Sequence, residues 1–71
     1  MFYKVSLIIP AWNAEKTISD CLLSAIRAKS PPSEIIVVDD FSNDNTASIV
    51  KKLIKDYSII KLLQMKNNVG P

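Results

Sequence analysis

Three short apolar runs alternate with two amphipathic stretches along the chain. The runs are Val5–Ile9, Ile35–Val38 and Ile59–Leu63. Their short length and their content of β-branched residues favour strands over helices. The first two runs are almost continuously apolar, a pattern typical of parallel sheets that are covered on both faces.

The two stretches between these runs have the spacing of helices, because their apolar residues recur every three or four positions. The first apolar face consists of Ile18, Cys21, Leu22, Ala25 and Ile26. The second consists of Ala47, Val50, Leu53, Ile54 and Tyr57. We predict Asn13 as the N-cap of the first helix and either Asp44 or Ser42 as the cap of the second. Cys21 is expected to be a packed core residue.

The order β-α-β-α-β predicts a parallel three-stranded sheet with right-handed crossovers and the strand order 3-2-1. In that order both crossovers run the same way across the sheet, so both helices cover the same face. The other face is then bare, although the strands lack a polar alternation that would suit it to water. We therefore expect the chain to be part of a larger domain, and to expose an apolar patch that promotes aggregation.

The composition is that of one small globular domain: 71 residues, of which 48% are hydrophobic and 23% charged. A net charge of +2 indicates no particular partner, and the tight group Lys51, Lys52 and Lys55 is more typical of a solvated helix face than of a nucleic-acid site. The single cysteine excludes an internal disulfide, and the absence of histidine excludes a Ser-His or Cys-His pair. The apolar run Val5–Ile9 is too short for a membrane span or a signal peptide.

Candidate chemistry lies in the segments that follow the strands, because ligands of open parallel sheets bind at the carboxyl ends of the strands. Pro10–Asn13 follows the first strand, Asp39–Thr46 follows the second, and the tail Asn67–Pro71 would reach the same edge. With Gly70 as its only glycine, the chain contains neither a G-x-G-x-x-G loop nor a P-loop. A nucleotide would therefore have to be held by carboxylates and an aromatic ring.

Asp39 and Asp40 are adjacent at a strand end, where neighbouring side chains point to opposite sides. One of them would face the cleft, where a carboxylate can accept hydrogen bonds from a base or a ribose, and the other would support the loop. Alternatively, both only cap the loop and the following helix. Trp12 could stack on a base or a sugar, or it could cover the sheet edge. Asn13 could also bind a ligand.

The segment Asp39–Thr46 resembles a calcium-binding loop in the spacing of its oxygen-bearing side chains. Asp40, Ser42 and Asp44 alternate as they would in such a loop, but Asn45 replaces the expected glycine and Lys51 the expected glutamate. No D-x-D triplet occurs in the chain. We therefore predict no metal site formed by this chain.

Two strings of the sequence, Val5–Glu15 and Glu34–Thr46, strongly resemble the opening segments of family 2 glycosyltransferases. The tail Asn67–Pro71 looks like the start of that family's next segment. The resemblance implies a GT-A-type fold, whose Rossmann-like half binds a nucleotide-diphosphate sugar, and residues 1–71 would be the incomplete amino-terminal nucleotide-binding part. Two departures are mild: Trp12 stands where tyrosine is commoner, and Phe41 where glycine is common.

The resemblance also implies a set of binding residues, in which the position of Asp40 typically bonds the base. The implied nucleotide-sugar-binding residues are Pro10, Ala11, Trp12, Asn13, Asp39, Asp40 and Ser42. The family's D-x-D site for a divalent cation, Mg²⁺ or Mn²⁺, and its later carboxylate base would lie outside this chain. The full enzyme would transfer a sugar with inversion, and the 71 residues alone are expected to be inactive.

The partners that the resemblance implies are a nucleotide-diphosphate sugar donor, a glycan, lipid or protein acceptor, and the rest of the catalytic domain, with no nucleic acid. The implied location is the cytoplasm or the inner face of the membrane. Two alternatives stay open: a receiver-like nucleotide-binding module without catalysis, and a truncated product with a structural role. Receivers carry their acid pair after strand one and a further aspartate after strand three, where this chain has Leu63–Lys66.

Overall fold

The computed structural model describes residues 4–65, so the tail Asn67–Pro71 lies outside the described residues. The elements in chain order are β1 (Ser6–Ala11), α1 (Ile18–Ile26), β2 (Glu34–Asp39), α2 (Thr46–Asp56) and β3 (Ile60–Gln64). The strands form one parallel sheet in which β2 lies between β1 and β3. The predicted β-α-β-α-β order and the 3-2-1 arrangement of the strands are confirmed.

A single core fills the space between the sheet and the two helices. In β2 the alternate residues Ile35 and Val37 are fully buried. They belong to one apolar cluster with buried residues of α1, α2 and β3, namely Ile18, Leu22, Val50 and Ile60. Because both helices contribute to the same cluster, both lie on one face of the sheet, as the crossover argument predicted.

The start of α1 differs from the sequence prediction. Thr17 occupies the N-cap position, and the backbone N–H groups of Thr17 and Ile18 donate to the carbonyl of Ala14 at 3.0 and 2.8 Å. Asn13 has a left-handed backbone with φ of 48°. Its side chain accepts a hydrogen bond from the N–H of Asn43, which lies between β2 and α2, rather than from the start of α1. The prediction of Asn13 as the N-cap was wrong, because a contact distant in sequence takes up its side chain.

The apolar face of α1 is also narrower than its spacing suggested. Ile18 and Leu22 are buried, whereas Cys21 is exposed. A nine-residue helix that packs through one i, i+4 pair turns the residue before Leu22 away by about 100°. The prediction that Cys21 packs in the core was therefore wrong.

Strand β1 continues past the point where the sequence predicted its end. Pro10 pairs in register with Val38, and Ala11 pairs with Asp39. Proline has no N–H to donate, and it is tolerated in a strand where the adjacent ladder does not require that donor. In the described part of the chain β1 pairs only with β2 and is an edge strand. No described strand on its other side requires a hydrogen bond from the nitrogen of Pro10.

The face of the sheet opposite the helices is largely apolar and open to solvent. Ile8 is 61% exposed and Leu63 is 55% exposed. The strand register places Ile8 beside Ile36 on two strands, and it aligns Pro10, Val38 and Leu63 in an apolar row across all three strands. The bare apolar face that the topology predicted is thus present in residues 4–65.

A polar cluster at the amino end of the strands interrupts this open face. The hydroxyl of Ser6 donates to Glu34 Oε1 at 2.6 Å, and Lys61 Nζ lies 2.9 Å from Glu34 Oε2. The hydrogen bond from Ser6, and then the contact with Lys61, lower the pKa of Glu34 below its ordinary value. The expectation that the strands lack polar alternation was wrong at this end, because these three residues suit the face to water there.

Two leucine substitutions in the 71-residue chain test the difference between the covered and the open face of the sheet. Leu22→Ala removes a fully buried side chain and should lower the free energy of unfolding by about 3 kcal/mol. Leu63→Ala removes a half-exposed one and should lower it by less than about 1 kcal/mol. Urea unfolding followed by circular dichroism measures both values. Equal losses in the two variants would contradict the described burial.

Candidate functional site

Two loops lie side by side at the carboxyl edge of the sheet. The first loop is residues 12–17, between β1 and α1, and the second loop is residues 40–45, between β2 and α2. The pairing of the strands continues into them, since the N–H of Asp40 donates to the carbonyl of Ala11 at 2.9 Å. Beyond this point side chains take over the hydrogen bonding between the two loops.

Asn13 links the loops with both its backbone and its side chain. Its N–H donates to Ser42 Oγ at 2.8 Å, and its Oδ1 accepts from the N–H of Asn43 at 3.0 Å. Asparagine adopts the left-handed backbone found here at lower cost than other residues with a Cβ. The residue type at position 13 therefore suits both the turn and the contact.

Further hydrogen bonds join the starts of the two helices. The N–H of Ala14 donates to Thr46 Oγ1 at 2.8 Å. The N–H of Glu15 donates to Asp44 Oδ2 at 3.2 Å, and Glu15 Oε1 accepts from the N–H of Asn45 at 3.1 Å. Thr46 is fully buried, so these contacts connect the loops to the core.

Asp44 organises the start of α2. Its Oδ1 accepts from the N–H of Thr46 at 2.9 Å and also from the Thr46 hydroxyl. Partial removal from water raises the pKa of Asp44, but the hydrogen bonds from Thr46 and Glu15 outweigh it and place the pKa below the ordinary value. Asp44 thus satisfies the first N–H of the helix, although Asn45 occupies the N-cap position. Ser42, the other predicted cap, bonds to Asp39 and Asn13 instead.

The adjacent acids have different environments. Asp39 is 1% exposed and lies on the helix side of the sheet, as Ile35 and Val37 do. Its Oδ1 accepts a short hydrogen bond from the Ser42 hydroxyl. Asp40 follows the last residue of β2 and is half-buried. Asp39 therefore supports the second loop, and Asp40 is the more exposed of the two acids.

The other residues predicted for binding also gather at this edge. Pro10 is exposed, and Trp12 is 61% exposed, so the indole of Trp12 is not a core side chain. Ala11 is buried in the core cluster, and its carbonyl holds the N–H of Asp40. The edge therefore presents Pro10, Trp12 and Asp40 to solvent, while Ala11 and Asp39 form its support.

Phe41 is a feature of the edge that the sequence prediction did not include among the binding residues. Its backbone has φ of 55°, and the residue is 53% exposed. Left-handed conformations of this kind favour glycine, and a bulky residue there is an outlier. The sequence signal was the phenylalanine at a position where the resembling family commonly has glycine. Phe41 keeps the backbone conformation that glycine would adopt.

A cavity of about 400 Å³ lies between the second loop and the end of β3. Its lining residues are Asp39, Phe41, Ser42, Gln64 and Met65. The N–H of Met65 donates to the carbonyl of Asp39 at 2.9 Å, which ties the end of β3 to the acid pair. Sequence reasoning missed Gln64 and Met65, because only the strand register places them beside the second loop.

Comparison with known proteins gives the family. The sequence model of the family described as "Glycosyl transferase family 2" matches residues 6–71. The chain belongs to glycosyl transferase family 2. This assignment confirms the resemblance drawn from the two loop strings and excludes the receiver-like alternative.

Relatives with assigned activities are similar over almost the whole chain. A poly(ribitol-phosphate) beta-glucosyltransferase of Bacillus spizizenii is 36% identical over 69 residues, which are 94% of this chain and 11% of that protein. A cholesterol galactosyltransferase of Borreliella burgdorferi is 37% identical over 65 residues, which are 92% of this chain and 18% of that protein. The chain thus spans less than a fifth of the length of these relatives.

Solved structures confirm the fold. The crystal structure of S. aureus TarS residues 1–349 superposes with a TM-score of 0.78 at 37% identity, and the match covers 93% of this chain and 20% of that one. A second crystal structure of the same TarS segment, in complex with UDP, gives the same values. The described sheet and helices are therefore part of the GT-A-type fold, as the resemblance implied.

Among residues 4–65, no helix combines the length and the apolar character that crossing a bilayer requires.

The free energy of unfolding should fall at low pH as the carboxylate of Asp44 becomes protonated. A carboxyl whose pKa is lowered on folding stabilises the folded state above its unfolded value, which is about 3.8 for this group, and that contribution is lost as the pH falls through the lower folded value. We expect stability to fall below about pH 4, and less steeply in Asp44→Asn. Urea midpoints between pH 2 and 6 measure the slope.

The matched control for this acid dependence is Asp56→Asn, which removes a carboxylate at the far end of α2. In Asp56→Asn, the dependence of the urea midpoint on pH should stay closer to that of the wild type than it does in Asp44→Asn. Identical slopes in the wild type and in Asp44→Asn would contradict the described role of the Asp44 carboxylate.

Glycine should relieve backbone strain at position 41. Phe41→Gly is expected to be about 1 kcal/mol more stable than Phe41→Ala, because both lose the ring but only alanine keeps the Cβ that disfavours φ of 55°. Thermal or urea unfolding measures the difference. Ala25→Gly, in the helical backbone of α1, should have the opposite sign and destabilise by about 1 kcal/mol. A lower stability for Phe41→Gly than for Phe41→Ala would contradict the strain.

Proposed function

We propose that this chain is the donor-binding part of a glycosyltransferase that transfers a sugar from a nucleotide-diphosphate sugar to an acceptor, with inversion at the anomeric carbon. Residues 1–71 would form the amino-terminal nucleotide-binding part of a larger catalytic domain. The observation that carries this proposal is the carboxyl edge of the sheet, where Asp40 and Trp12 stand on two hydrogen-bonded loops. The crystal structure of the similar TarS with UDP supports a nucleotide donor.

In this proposal Asp40 recognises the edge of the base. An ionised carboxylate only accepts hydrogen bonds, so it selects a base that offers an N–H at its pairing edge. Uracil and guanine both carry a ring N–H there, whereas the corresponding ring nitrogens of cytosine and adenine are acceptors. The half-buried position of Asp40 strengthens such a bond relative to one in open water. We therefore favour a uridine or guanosine diphosphate donor.

The remaining residues of the proposed site divide into contacts and supports. Trp12 and Pro10 are exposed beside Asp40, and the indole offers a flat face to a base or a sugar. Asn13, Ser42 and Asp39 hold the two loops together through the chain of hydrogen bonds from Asn13 to Ser42 and from Ser42 to Asp39. Ala11 completes the support by accepting the N–H of Asp40 with its carbonyl.

The chemistry of transfer requires groups that the described residues do not supply. Among residues 4–65, no three His, Cys, Asp or Glu side chains are grouped so that they could hold a metal ion. Asp39 and Asp44 already accept hydrogen bonds from neighbouring side chains. These residues do not fit a cation site, and we propose that the ligands of a Mg²⁺ or Mn²⁺ ion and the catalytic base come from segments beyond this chain. The 71 residues alone would then be inactive.

The acceptor is proposed from the relatives. The names of several similar proteins refer to polymers, namely poly(ribitol phosphate) and poly-beta-1,6-N-acetyl-D-glucosamine. On this basis we propose a role in the synthesis of a cell-envelope polysaccharide, with donor binding in the cytoplasm or at the inner face of the membrane.

Titration of UDP and GDP against the intact protein tests the base contact. Asp40→Ala should weaken the preferred nucleotide about tenfold to a hundredfold, because it removes a charge-assisted hydrogen bond. Asp56→Ala removes a carboxylate away from the edge and should bind as the wild type does. Unchanged affinity in Asp40→Ala would sink the assignment of Asp40. If neither nucleotide binds the wild type, the proposed donor class is wrong.

A further inference from the structure

The backbone of Phe41 is fixed from both sides. Before it, the N–H of Asp40 is held by the carbonyl of Ala11 at 2.9 Å. After it, Ser42 bonds to Asp39 and receives the N–H of Asn13 at 2.8 Å. Phe41 therefore takes up the left-handed turn between two anchored residues, which sets the direction in which its side chain leaves the backbone.

The strain at Phe41 is not offset by burial of its ring. A side chain with a Cβ in the left-handed region strains the backbone, and more than half of the surface of Phe41 remains in contact with solvent. Glycine would form the same turn without the strain. Stability thus gives no reason for an aromatic side chain at this position, whereas a ligand that packs against the ring would.

The cavity beside Phe41 has the composition of a subsite for a flat, neutral group. Phe41 and Met65 supply apolar surface, and Gln64 supplies an amide that can both donate and accept hydrogen bonds. Among residues 4–65, the lining residues include the carboxylate of Asp39 and no cation. A diphosphate would be repelled here, whereas a nucleobase is flat, uncharged and lined with donors and acceptors at its edge.

We propose that Phe41 is a specificity-determining residue of donor binding, whose ring packs against the face of the nucleobase in the cavity formed with Gln64 and Met65. This inference rests on the proposed donor function and adds to it a contact that reads the face of the base. Phe41 thereby favours ligands that carry a base over ligands that carry only the sugar and the diphosphate.

The test measures binding of UDP, of GDP and of ribose 5-diphosphate, which lacks a base, to the intact protein. Phe41→Leu keeps the Cβ and the apolar character but removes the aromatic face. It should weaken UDP or GDP binding about tenfold, as expected for loss of base stacking, and leave ribose 5-diphosphate within about twofold. Phe41→Tyr keeps the ring and should bind all three ligands within about threefold of the wild type.

Each other outcome overturns the inference in a distinct way. Suppose that Phe41→Leu binds nucleotides with the affinity of the wild type, whereas Asp40→Ala binds them more weakly. In that case the proposed function stands and the proposed role of Phe41 is wrong. If Phe41→Leu weakens the base-free ligand equally, the ring acts on the fold of the site rather than on the base. If the wild type binds no nucleoside diphosphate, the proposed function and this inference both fail.

Discussion

The hydrogen bonds that join the first and second loops are the interaction on which the carboxyl edge depends. A buried carboxylate is costly unless it is hydrogen-bonded, and Asp39 meets this requirement through Ser42. Ser42 in turn accepts the N–H of Asn13, so the acid at the end of β2 is connected to the turn after β1. Removing the Ser42 hydroxyl would leave the buried carboxylate of Asp39 without this partner and weaken the contact between the loops.

This arrangement separates residues that hold the edge from residues that are free to meet a ligand. Asp39, the last residue of β2, is buried on the side of the helices, whereas Asp40 after it is half-buried. In the loops, the tight turns at Asn13 and Phe41 leave the side chains of Trp12 and Phe41 in solvent. The supports are bonded to one another before any ligand arrives, so binding would require little further ordering of the loops.

The sequence was enough to predict the features that depend on local patterns of apolar residues. It was not enough where a side chain bonds to a residue distant in sequence. The apolar runs and the single direction of the crossovers were enough for the sheet order and for helices on one face. Asn13 was misassigned as a cap because its partners, Ser42 and Asn43, lie about 30 residues away. The same holds for Glu34, whose contact with Lys61 spans 27 residues and makes one end of the open face polar. The left-handed turn at Phe41 likewise follows from contacts between the loops, and only the comparison with glycine in similar sequences hinted at it.

The apolar part of the open face extends to the carboxyl edge of the sheet, where the candidate site lies. The charged pair of Glu34 and Lys61 marks the amino end of the strands as a region that tolerates water. The row of Ile8 and Ile36 ends at Lys61, and the row of Pro10, Val38 and Leu63 lies next to the carboxyl edge. Any segment that buries those rows must pack beside the loops that carry Asp40 and Phe41. Covering the apolar face and completing the proposed nucleotide site are therefore physically linked. Residues 4–65 achieve neither, and the chain spans less than a fifth of the length of the two relatives compared above.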